Sequence, residues 1–373
     1  MTYIPVCEPY LNGNELKYVT EAVSTGWISS SGKYVNEFEK SFANYCGAKY
    51  AVAVCNGTAA LHLSLVALGI SKGDEVIIPS FTMSASAFSV CYTGALPVLV
   101  DAVKDTWNID TSKIEEKITK KTKAIMPVSI FGHPVEMDSI REIAAKYNLK
   151  IVEDAAESHG SEYKGVKIGN LADITAFSFF SNKNLTTGEG GIVVTNDKSL
   201  YEQALYYRNM CFSLNGPRDY KHNHIGFNYR MSNLHAAVGL AQVEKAEEYI
   251  KLRIRNGALY RKYLDGIDGV TTQNTLSYVK HAQWMNGVII DENKYGKTRL
   301  ELMDYLSQND VETRLLFTGM HQQKFLKDYG CDLSGAYPVT EYLSQKGFYL
   351  PSASSLTEEN IEFICELIRN FRG

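Results

Sequence analysis

Short apolar runs alternate with helical segments between residues 50 and 155, and this alternation restricts the possible folds more than any other feature of the chain. Five runs have the length and composition of strands: YAVAVC, EVIIPS, PVLVD, KAIMPVSI and KIVEDA. Helical patterns lie between them, among them TAALHLSLVALG and EMDSIREIAAKYN. Strands that are apolar on both faces are typical of parallel sheets covered by helices on each side. The pattern therefore predicts an α/β fold with a mostly parallel sheet, to which ITAFSFF and GGIVVTN add strands for a total of seven.

The chain has 373 residues, which is enough for a large domain and a smaller one. Two helices, in NELKYVTEAVSTG and YVNEFEKSFANYCG, precede the first strand. After the predicted sheet the pattern changes to α+β and ends in the helix TEENIEFICELIRNF, with Thr357 as its N-cap residue and three isoleucines along one face. We expect a large domain over residues 1–245 and a smaller C-terminal α+β domain over residues 246–373.

Charge and cysteine content narrow the class of protein. The net charge is −4 and the pI about 6.1, so the chain lacks the overall positive field that favours nucleic acid or anionic lipid. Seven cysteines are scattered without a C-x-x-C pair, which is typical of reduced thiols in the cytoplasm. The sequence shows neither the pattern of a signal peptide nor an apolar stretch long enough to span a bilayer. We expect a soluble, cytoplasmic protein without nucleic-acid or membrane partners.

Polar residues follow three of the predicted strands, at the edge of the sheet where open α/β proteins bind ligands. Gly57 and Thr58 follow the first strand and begin a helix, whose free N–H groups and dipole suit a phosphate. Asp154 ends the strand KIVED, with Glu157 nearby, and Lys183 follows the strand ITAFSFF. Taken singly, each residue has a plain structural interpretation as a helix cap or a surface lysine.

Together, these three positions provide what pyridoxal phosphate (PLP) requires. The aldehyde of PLP condenses with a lysine amine, its pyridine nitrogen pairs with a carboxylate, and its phosphate needs N–H donors. Desolvation and nearby positive charge would keep part of the lysine amine neutral and therefore reactive. The residues alone thus favour PLP, bound by Lys183, Asp154 and the turn at Gly57 and Thr58.

Nucleotide and metal sites have weaker support. No G-x-G-x-x-G motif follows the first strand, and the motif G-x-x-x-x-G-K-[ST] does not occur. His222 and His224 share the segment KHNH but have no Cys or carboxylate at a typical ligand spacing. We expect these histidines to be exposed in a loop, and we expect no metal site.

Longer segments resemble a known family. NGTAALHLSLVALGI, GDEVIIPSFT, IVEDAAESHGSEYKG, FSFFSNKNLTTGEGGIVVTND and GFNYRMSNLHAAVGLAQVEK occur in the order found in the DegT-type nucleotide-sugar aminotransferases. The resemblance covers essentially the whole chain. It implies the aspartate-aminotransferase fold (PLP fold type I) and a homodimer with active sites at the subunit interface.

The resemblance also assigns roles in cofactor binding. Lys183 matches the lysine that binds PLP, Asp154 the carboxylate paired with the pyridine nitrogen, and Glu157 the position near the phenolic oxygen. The phosphate-binding positions are matched by Gly57, Thr58, Ser178 and, reaching over from the partner subunit, Asn228. The neighbourhood where the substrate binds is matched by Trp27, Ser29, Ser30 and His321.

Two features depart from the family pattern. Met83 stands where members commonly carry an aromatic residue stacked on the pyridine ring, and its polarizable thioether would have to cover the ring instead. The segment RNMCFSLNG lacks the His-Gly or Gln-Gly often found near the substrate. The keto acceptor could therefore differ from the usual one.

The implied reaction transfers an amino group from L-glutamate, leaving 2-oxoglutarate, to a keto sugar. The expected acceptor is a nucleotide-linked 4-keto-6-deoxy sugar used for lipopolysaccharide, capsule or another surface glycoconjugate, and a small phosphorylated ketone is the alternative.

Dehydratases of the same family carry histidine in place of the lysine, so Lys183 disfavours that chemistry. A nicotinamide-dependent oxidoreductase would need a glycine motif that is missing. A non-catalytic sensor on the same fold stays open, although no DNA-binding segment is evident.

Overall fold

The computed structural model describes residues 3–214 and 220–372. Its strands are β1 (Tyr50–Val54), β2 (Glu75–Pro79), β3 (Leu96–Val100), β4 (Thr122–Ile125), β5 (Lys150–Asp154), β6 (Glu162–Tyr163), β7 (Val166–Lys167), β8 (Ile174–Ser178), β9 (Gly191–Thr195), β10 (Val270–Thr272), β11 (Val279–Lys280), β12 (Asn286–Ile290), β13 (Arg314–Leu315) and β14 (Gly347–Leu350). Its α-helices are α1 (Glu15–Ser24), α2 (Lys33–Cys46), α3 (Gly57–Ala67), α4 (Ser84–Tyr92), α5 (Met137–Tyr147), α6 (Lys198–Arg208), α7 (Asn233–Glu244), α8 (Ala246–Leu264), α9 (Glu292–Tyr295), α10 (Arg299–Gln308), α11 (Lys324–Tyr329), α12 (Pro338–Lys346) and α13 (Glu358–Asn370).

A seven-stranded sheet forms the centre of the molecule, in the order β1-β9-β8-β5-β4-β2-β3. The pairs from β8 to β3 are parallel, whereas β9 runs antiparallel to both β8 and β1. Asp154 at the end of β5 is in register with Ala176 of β8. The predicted mostly parallel, seven-stranded sheet is therefore confirmed, and its carboxyl edge brings together the ends of β5 and β8.

Helices cover both faces of this sheet. Since the side chains of successive strand residues point to opposite sides, neighbouring residues pack into different layers. Ile151 of β5 packs into a core layer with residues of α2, α5 and α7. Its neighbour Val152 packs into a second layer with residues of α3, α4 and α6. Burial on both sides explains why these strands are continuously apolar.

A second sheet, in the order β10-β12-β14-β13, is antiparallel and packs with α8, α10 and α13 around a separate core. Thr357 caps α13 in a capping box with Asn360, and the three isoleucines of the predicted apolar face, Ile361, Ile364 and Ile368, are fully buried. The predicted α+β character of the C-terminal part is confirmed. The domain boundary between residues 245 and 246, where α7 is followed by α8, stays a prediction.

The sequence pattern placed α1 correctly but does not show which face is buried. Leu16 and Val23 are 81% and 58% exposed, whereas Glu15 and Ala22 are buried. The Glu15 carboxylate accepts a hydrogen bond of 2.6 Å from Gln242 Nε2, which compensates for its burial. Leu16 and Val23 therefore face outward in the single chain, although they are apolar.

Among the described residues, every helix is either too short or too polar to cross a lipid bilayer.

Candidate active site

The carboxyl ends of β1, β5 and β8 border a cavity of about 730 Å³. Its lining includes most of the residues that the sequence predicted to bind the cofactor: Gly57, Thr58, Met83, Asp154, Glu157, Ser178 and Lys183. The shared edge of the sheet thus brings residues together that lie far apart in the sequence. Asn228 lies outside this lining and is exposed, with its backbone bridged to Asn209.

The N-terminus of α3 opens onto the cavity and offers N–H groups to an anion. Asn56 caps the helix by accepting a hydrogen bond of 2.8 Å from Ala59 N. A Cβ atom on Gly57 would lie only 2.6 Å from Ser178 Cβ, so glycine is what allows α3 and β8 to approach so closely. A helix N-terminus lined by Thr58 and the Ser178 hydroxyl suits a phosphate group.

Asp154 is a buried carboxylate at the end of β5. Ser86 Oγ donates a hydrogen bond of 2.7 Å to Asp154 Oδ2, and Ala156 N donates one of 3.2 Å to Oδ1. Burial raises the pKa of Asp154, while the bonds from Ser86 and Ala156 and the charge of Lys183 act to lower it. Such a carboxylate could hold a protonated pyridine nitrogen in the cavity.

Lys183 places a buried amine in the same cavity. Its Nζ lies 3.9 Å from Glu157 Oε1 and 3.5 Å from the centroid of the Trp284 ring. Burial lowers the pKa of Lys183, and the charges of Glu157 and Asp154 act against this. The amine therefore loses its proton more easily than a surface lysine, as a nucleophile or general base must.

Glu157 is the second buried carboxyl group beside this amine. Phe131 N donates a hydrogen bond of 2.7 Å to Glu157 Oε2. Burial raises the pKa of Glu157, and the charge of Lys183 opposes that shift. Burial therefore favours the protonated form of this group, next to the position predicted for the phenolic oxygen of PLP.

Met83 lies at the N-terminus of α4 and is 54% exposed. It lines the cavity, and its Sδ lies 3.1 Å from Ala85 N. Whether its thioether covers the pyridine ring stays a prediction.

The four residues predicted to contact substrate lie outside the lining of the cavity. Ser29 O accepts a hydrogen bond of 2.6 Å from Asn233 N, and Ser30 Oγ accepts one of 3.2 Å from Arg230 Nε. Trp27, in the same segment, is 58% exposed. Their proposed contact with substrate stays a prediction, as does the unusual loop RNMCFSLNG, whose last two residues fall outside the described ranges.

His321 is not among the residues that line the cavity. Its Nδ1 lies 2.7 Å from Ser80 Oγ, and its ring stacks on Tyr337 with 4.4 Å between centroids. Burial lowers the pKa of His321. Its predicted role in substrate binding also stays a prediction.

Sequence reasoning missed Ser86 and Trp284, the side chains that contact Asp154 and Lys183. Ser86 lies in a predicted helix, and Trp284 lies in the segment QWMNGVIID, far along the chain from Lys183. An aromatic residue in an apolar segment is typical of a core position, so only the folded chain reveals its contact with the amine.

The two histidines of the segment KHNH are exposed, as expected. His222 Nδ1 lies 2.7 Å from Met210 O, and His224 Nδ1 lies 3.1 Å from Tyr206 Oη. Within residues 3–214 and 220–372, no group of three or more His, Cys, Asp or Glu side chains is placed to hold a metal ion.

The sequence matches a known protein family over almost its whole length. The model of the DegT/DnrJ/EryC1/StrS aminotransferase family matches residues 9–369. The chain belongs to this family. It is 43% identical over 376 residues to the GDP-perosamine synthase of Escherichia coli O157:H7, and the match covers 100% of this chain and 99% of the relative.

Solved structures agree with the fold. The S. venezuelae protein DesV superposes with a TM-score of 0.92 at 30% identity, over 100% of this chain and 99% of that chain. Spr1654 of Streptococcus pneumoniae, solved in its PLP form, gives a TM-score of 0.91 at 25% identity over 98% of each chain. The predicted family, fold class and aminotransferase activity are confirmed, and PLP is the cofactor of this family.

Proposed function

We propose that this aminotransferase moves the amino group of L-glutamate to the keto carbon of a nucleotide-linked 4-keto-6-deoxy sugar, with guanosine diphosphate as the nucleotide. The observation that carries the amino-transfer chemistry is the buried Lys183 amine, 3.9 Å from Glu157 and in one cavity with Asp154. The choice of sugar is supported by the similarity to the GDP-perosamine synthase of E. coli O157:H7 over the whole chain. The product would serve the synthesis of lipopolysaccharide, capsule or another surface polysaccharide.

In this proposal each residue of the cavity has a defined task. Bound PLP would supply an electron sink for the carbon that loses a proton. Lys183 Nζ accepts that proton and returns it, which requires an amine that is easily deprotonated. Asp154 would hold the pyridine nitrogen in its protonated form, and the N-terminus of α3 at Gly57 would bind the phosphate.

The proposal includes a homodimer with Asn228 of the partner subunit completing the phosphate site. Its support is that Asn228 is exposed and outside the cavity of its own chain. Further support comes from exposed apolar side chains that line the cavity, Met83 and Phe180, and from Leu16 and Trp27 near the N-terminus. We also place the reaction in the cytoplasm, since all seven cysteines are free.

The first test is the visible absorption spectrum of the purified protein after reconstitution with PLP, before and after addition of L-glutamate. We expect a yellow band that fades with glutamate and returns with 2-oxoglutarate. A band that does not respond to glutamate would overturn the donor, and a protein that forms no band would overturn the role of Lys183.

The acceptor is tested in the same protein by measuring 2-oxoglutarate release with a panel of ketones. We expect turnover with the GDP-linked 4-keto-6-deoxy sugar to exceed that with its dTDP-linked counterpart and with a small phosphorylated ketone. Preference for the dTDP sugar would overturn the nucleotide, and preference for the phosphorylated ketone would overturn the sugar. Glutamate consumption with none of these acceptors would overturn the whole acceptor assignment.

A further inference from the structure

Trp284 closes one side of the cavity and contacts the catalytic lysine and the peptide group before it. The centroid of its ring lies 3.5 Å from Lys183 Nζ. Its indole Nε1 donates a hydrogen bond of 2.8 Å to Asn182 O. One buried side chain, 4% exposed, therefore contacts both the amine and the main chain that carries it.

The main chain of Trp284 is itself fixed. Its N donates a hydrogen bond of 2.9 Å to Phe131 O, and its O accepts one of 3.2 Å from Arg253 Nη1. The rings of Trp284 and Phe131 meet edge to face, with 5.6 Å between centroids. Phe131 N also donates a hydrogen bond to Glu157. Trp284 therefore contacts Lys183 directly and is linked to Glu157 through Phe131.

A second donor supports the same peptide group. Cys7 Sγ lies 3.3 Å from Asn182 O, and Arg253 Nη2 lies 3.3 Å from Cys7 Sγ. Arg253, a residue of α8, is 2% exposed. Its guanidinium group contacts both Cys7 and the main chain of Trp284 in the interior. The carbonyl that precedes Lys183 accepts two hydrogen bonds from parts of the chain that are distant in sequence.

The aromatic face also acts on the amine electrostatically. Burial disfavours the ammonium form of Lys183, whereas the face of an indole ring attracts a cation and favours it. The attraction is larger at a desolvated site such as this one than on the surface. Trp284 therefore opposes the effect of burial and holds the protonated amine at one point of the cavity wall.

We propose that Trp284 is a positioning residue for amino transfer: its ring face retains the Lys183 amine whenever the amine is free, and its N–H fixes the Asn182 peptide group. This inference rests on the role of Lys183 in the proposed function. It predicts two separable effects, because the ring face acts on the protonation of the amine and the N–H acts on the placement of the main chain.

The test uses the apo-protein, so that it does not depend on turnover. Competitive labelling with acetic anhydride, read by mass spectrometry on the peptide that contains Lys183, gives the pH midpoint of amine reactivity. Stopped-flow mixing with PLP gives the rate constant of cofactor capture. Both are measured for the wild type, Trp284→Phe, which keeps a ring face, and Trp284→Leu, which removes ring and N–H together.

We expect Trp284→Leu to lower the labelling midpoint of Lys183 by about one pH unit. Trp284→Phe should leave the midpoint close to that of the wild type. Both variants should capture PLP about fivefold more slowly, since both lose the hydrogen bond to Asn182 O. An unchanged midpoint in Trp284→Leu, or unchanged capture in Trp284→Phe, would overturn the corresponding half of the proposal.

Two matched controls separate this role from general loosening of the core. Trp107 packs on the Phe131 ring at 5.7 Å and lies outside the cavity lining, so Trp107→Phe perturbs the same aromatic cluster. Phe317 lines the cavity and also packs on Phe131, so Phe317→Leu removes a ring of the same cavity. If either control shifts the Lys183 midpoint as much as Trp284→Leu does, the effect is not specific to Trp284 and the proposal fails.

Failure of the proposed function would give a different result. If Lys183→Ala bound PLP with the wild-type absorption band, the assignment of Lys183 would fall, whatever the labelling midpoint in the Trp284 variants. Circular dichroism shows whether Trp284→Leu folds. If it does not fold, comparison of Trp284→Phe with Trp107→Phe still decides whether the indole N–H is required for fast PLP capture.

Discussion

Ser86 Oγ donates a hydrogen bond of 2.7 Å to Asp154 Oδ2, which connects the first turn of α4 to the end of β5. Burial raises the pKa of Asp154, and the bond from Ser86 is the largest effect that lowers it. Thr82 Oγ1 lies 3.0 Å from Ser86 Oγ and helps to fix that hydroxyl. The bond from Ser86 therefore favours the ionised form of a deeply buried carboxyl group, which is the form that the proposed partner of a protonated pyridine nitrogen needs.

The variant Ser86→Ala should raise the pKa of Asp154, because the desolvated carboxylate loses its strongest donor. We expect kcat to fall about tenfold and the acidic limb of the pH–kcat profile to move to higher pH. Steady-state kinetics between pH 5 and 9 measure both. Ser89→Ala is the matched control, since Ser89 is equally buried but donates to Ser86 O, and it should leave the acidic limb in place. Identical profiles for both variants would contradict the prediction.

The variant Lys183→Ala should lose about 10⁴-fold or more in turnover, because it removes the group that we propose carries the proton. The charge of Lys183 lowers the pKa of Glu157 from the value that burial alone would give, so this variant should also raise the pKa of Glu157. Turnover is measured by release of 2-oxoglutarate, and folding by circular dichroism. Lys164→Ala, which removes an exposed lysine paired with Asp138, should retain wild-type turnover. Activity in Lys183→Ala within tenfold of the wild type would contradict the assignment.

Gly57, Asp154 and Lys183, which sequence reasoning located, share one property: each lies at the end of a strand or within a few residues after it. The ends of parallel strands meet at one edge of a sheet whatever the details of packing. Their convergence could therefore be predicted before any distance was known.

The residues that it missed depend on tertiary contacts. Trp284 reaches Lys183 only because the segment before β12 packs against Phe131, and nothing in the sequence near Trp284 indicates that contact. The buried face of α1 is a similar case. Its helical spacing predicts the helix, but burial of Glu15 instead of Leu16 depends on a hydrogen bond to Gln242 in α7.

The variant Gly57→Ala tests the close packing between α3 and β8. The new methyl group would lie 2.6 Å from Ser178 Cβ, so one of the two elements must shift. We expect the free energy of unfolding to fall by about 1–3 kcal/mol and the affinity for PLP to fall with it, since the displaced N–H groups are those that would bind phosphate. Urea unfolding and equilibrium PLP titration measure the two effects.

A second substitution serves as the control for this prediction. Ser178→Gly in the Gly57→Ala background removes the Ser178 Cβ atom, with which the new methyl group would clash. This double variant should regain most of the lost stability. The affinity for PLP should stay low, because the Ser178 hydroxyl is also gone. If the double variant is no more stable than Gly57→Ala, steric conflict with Ser178 is not the cause of the loss.

Glu153, next to Asp154 on β5, should make the stability of the apo-protein depend on pH. It is fully buried, and Ser129 Oγ donates a hydrogen bond of 3.3 Å to its Oε1. Burial raises the pKa of Glu153 from 4.5 to about 8. Between these two values the folded state holds a proton that the unfolded state has lost, so the stability conferred by the protonated group is fully present below pH 4.5 and is lost as the pH rises to about 8.

The variant Glu153→Gln carries a neutral side chain of the same size at every pH and should abolish this contribution. The free energy of unfolding of the variant relative to that of the wild type should therefore rise with pH by up to about 1.4 kcal/mol per pH unit, and then level off above pH 8. Urea unfolding of both apo-proteins at intervals from pH 5 to 9 measures the difference, in which the contributions of the other buried carboxyl groups largely cancel.

Glu142→Gln, at an exposed position of α5, makes the same change in charge and should show no such rise. Parallel curves for the wild type and Glu153→Gln would mean that Glu153 is ionised in the folded protein and that its burial is compensated by contacts other than the one from Ser129.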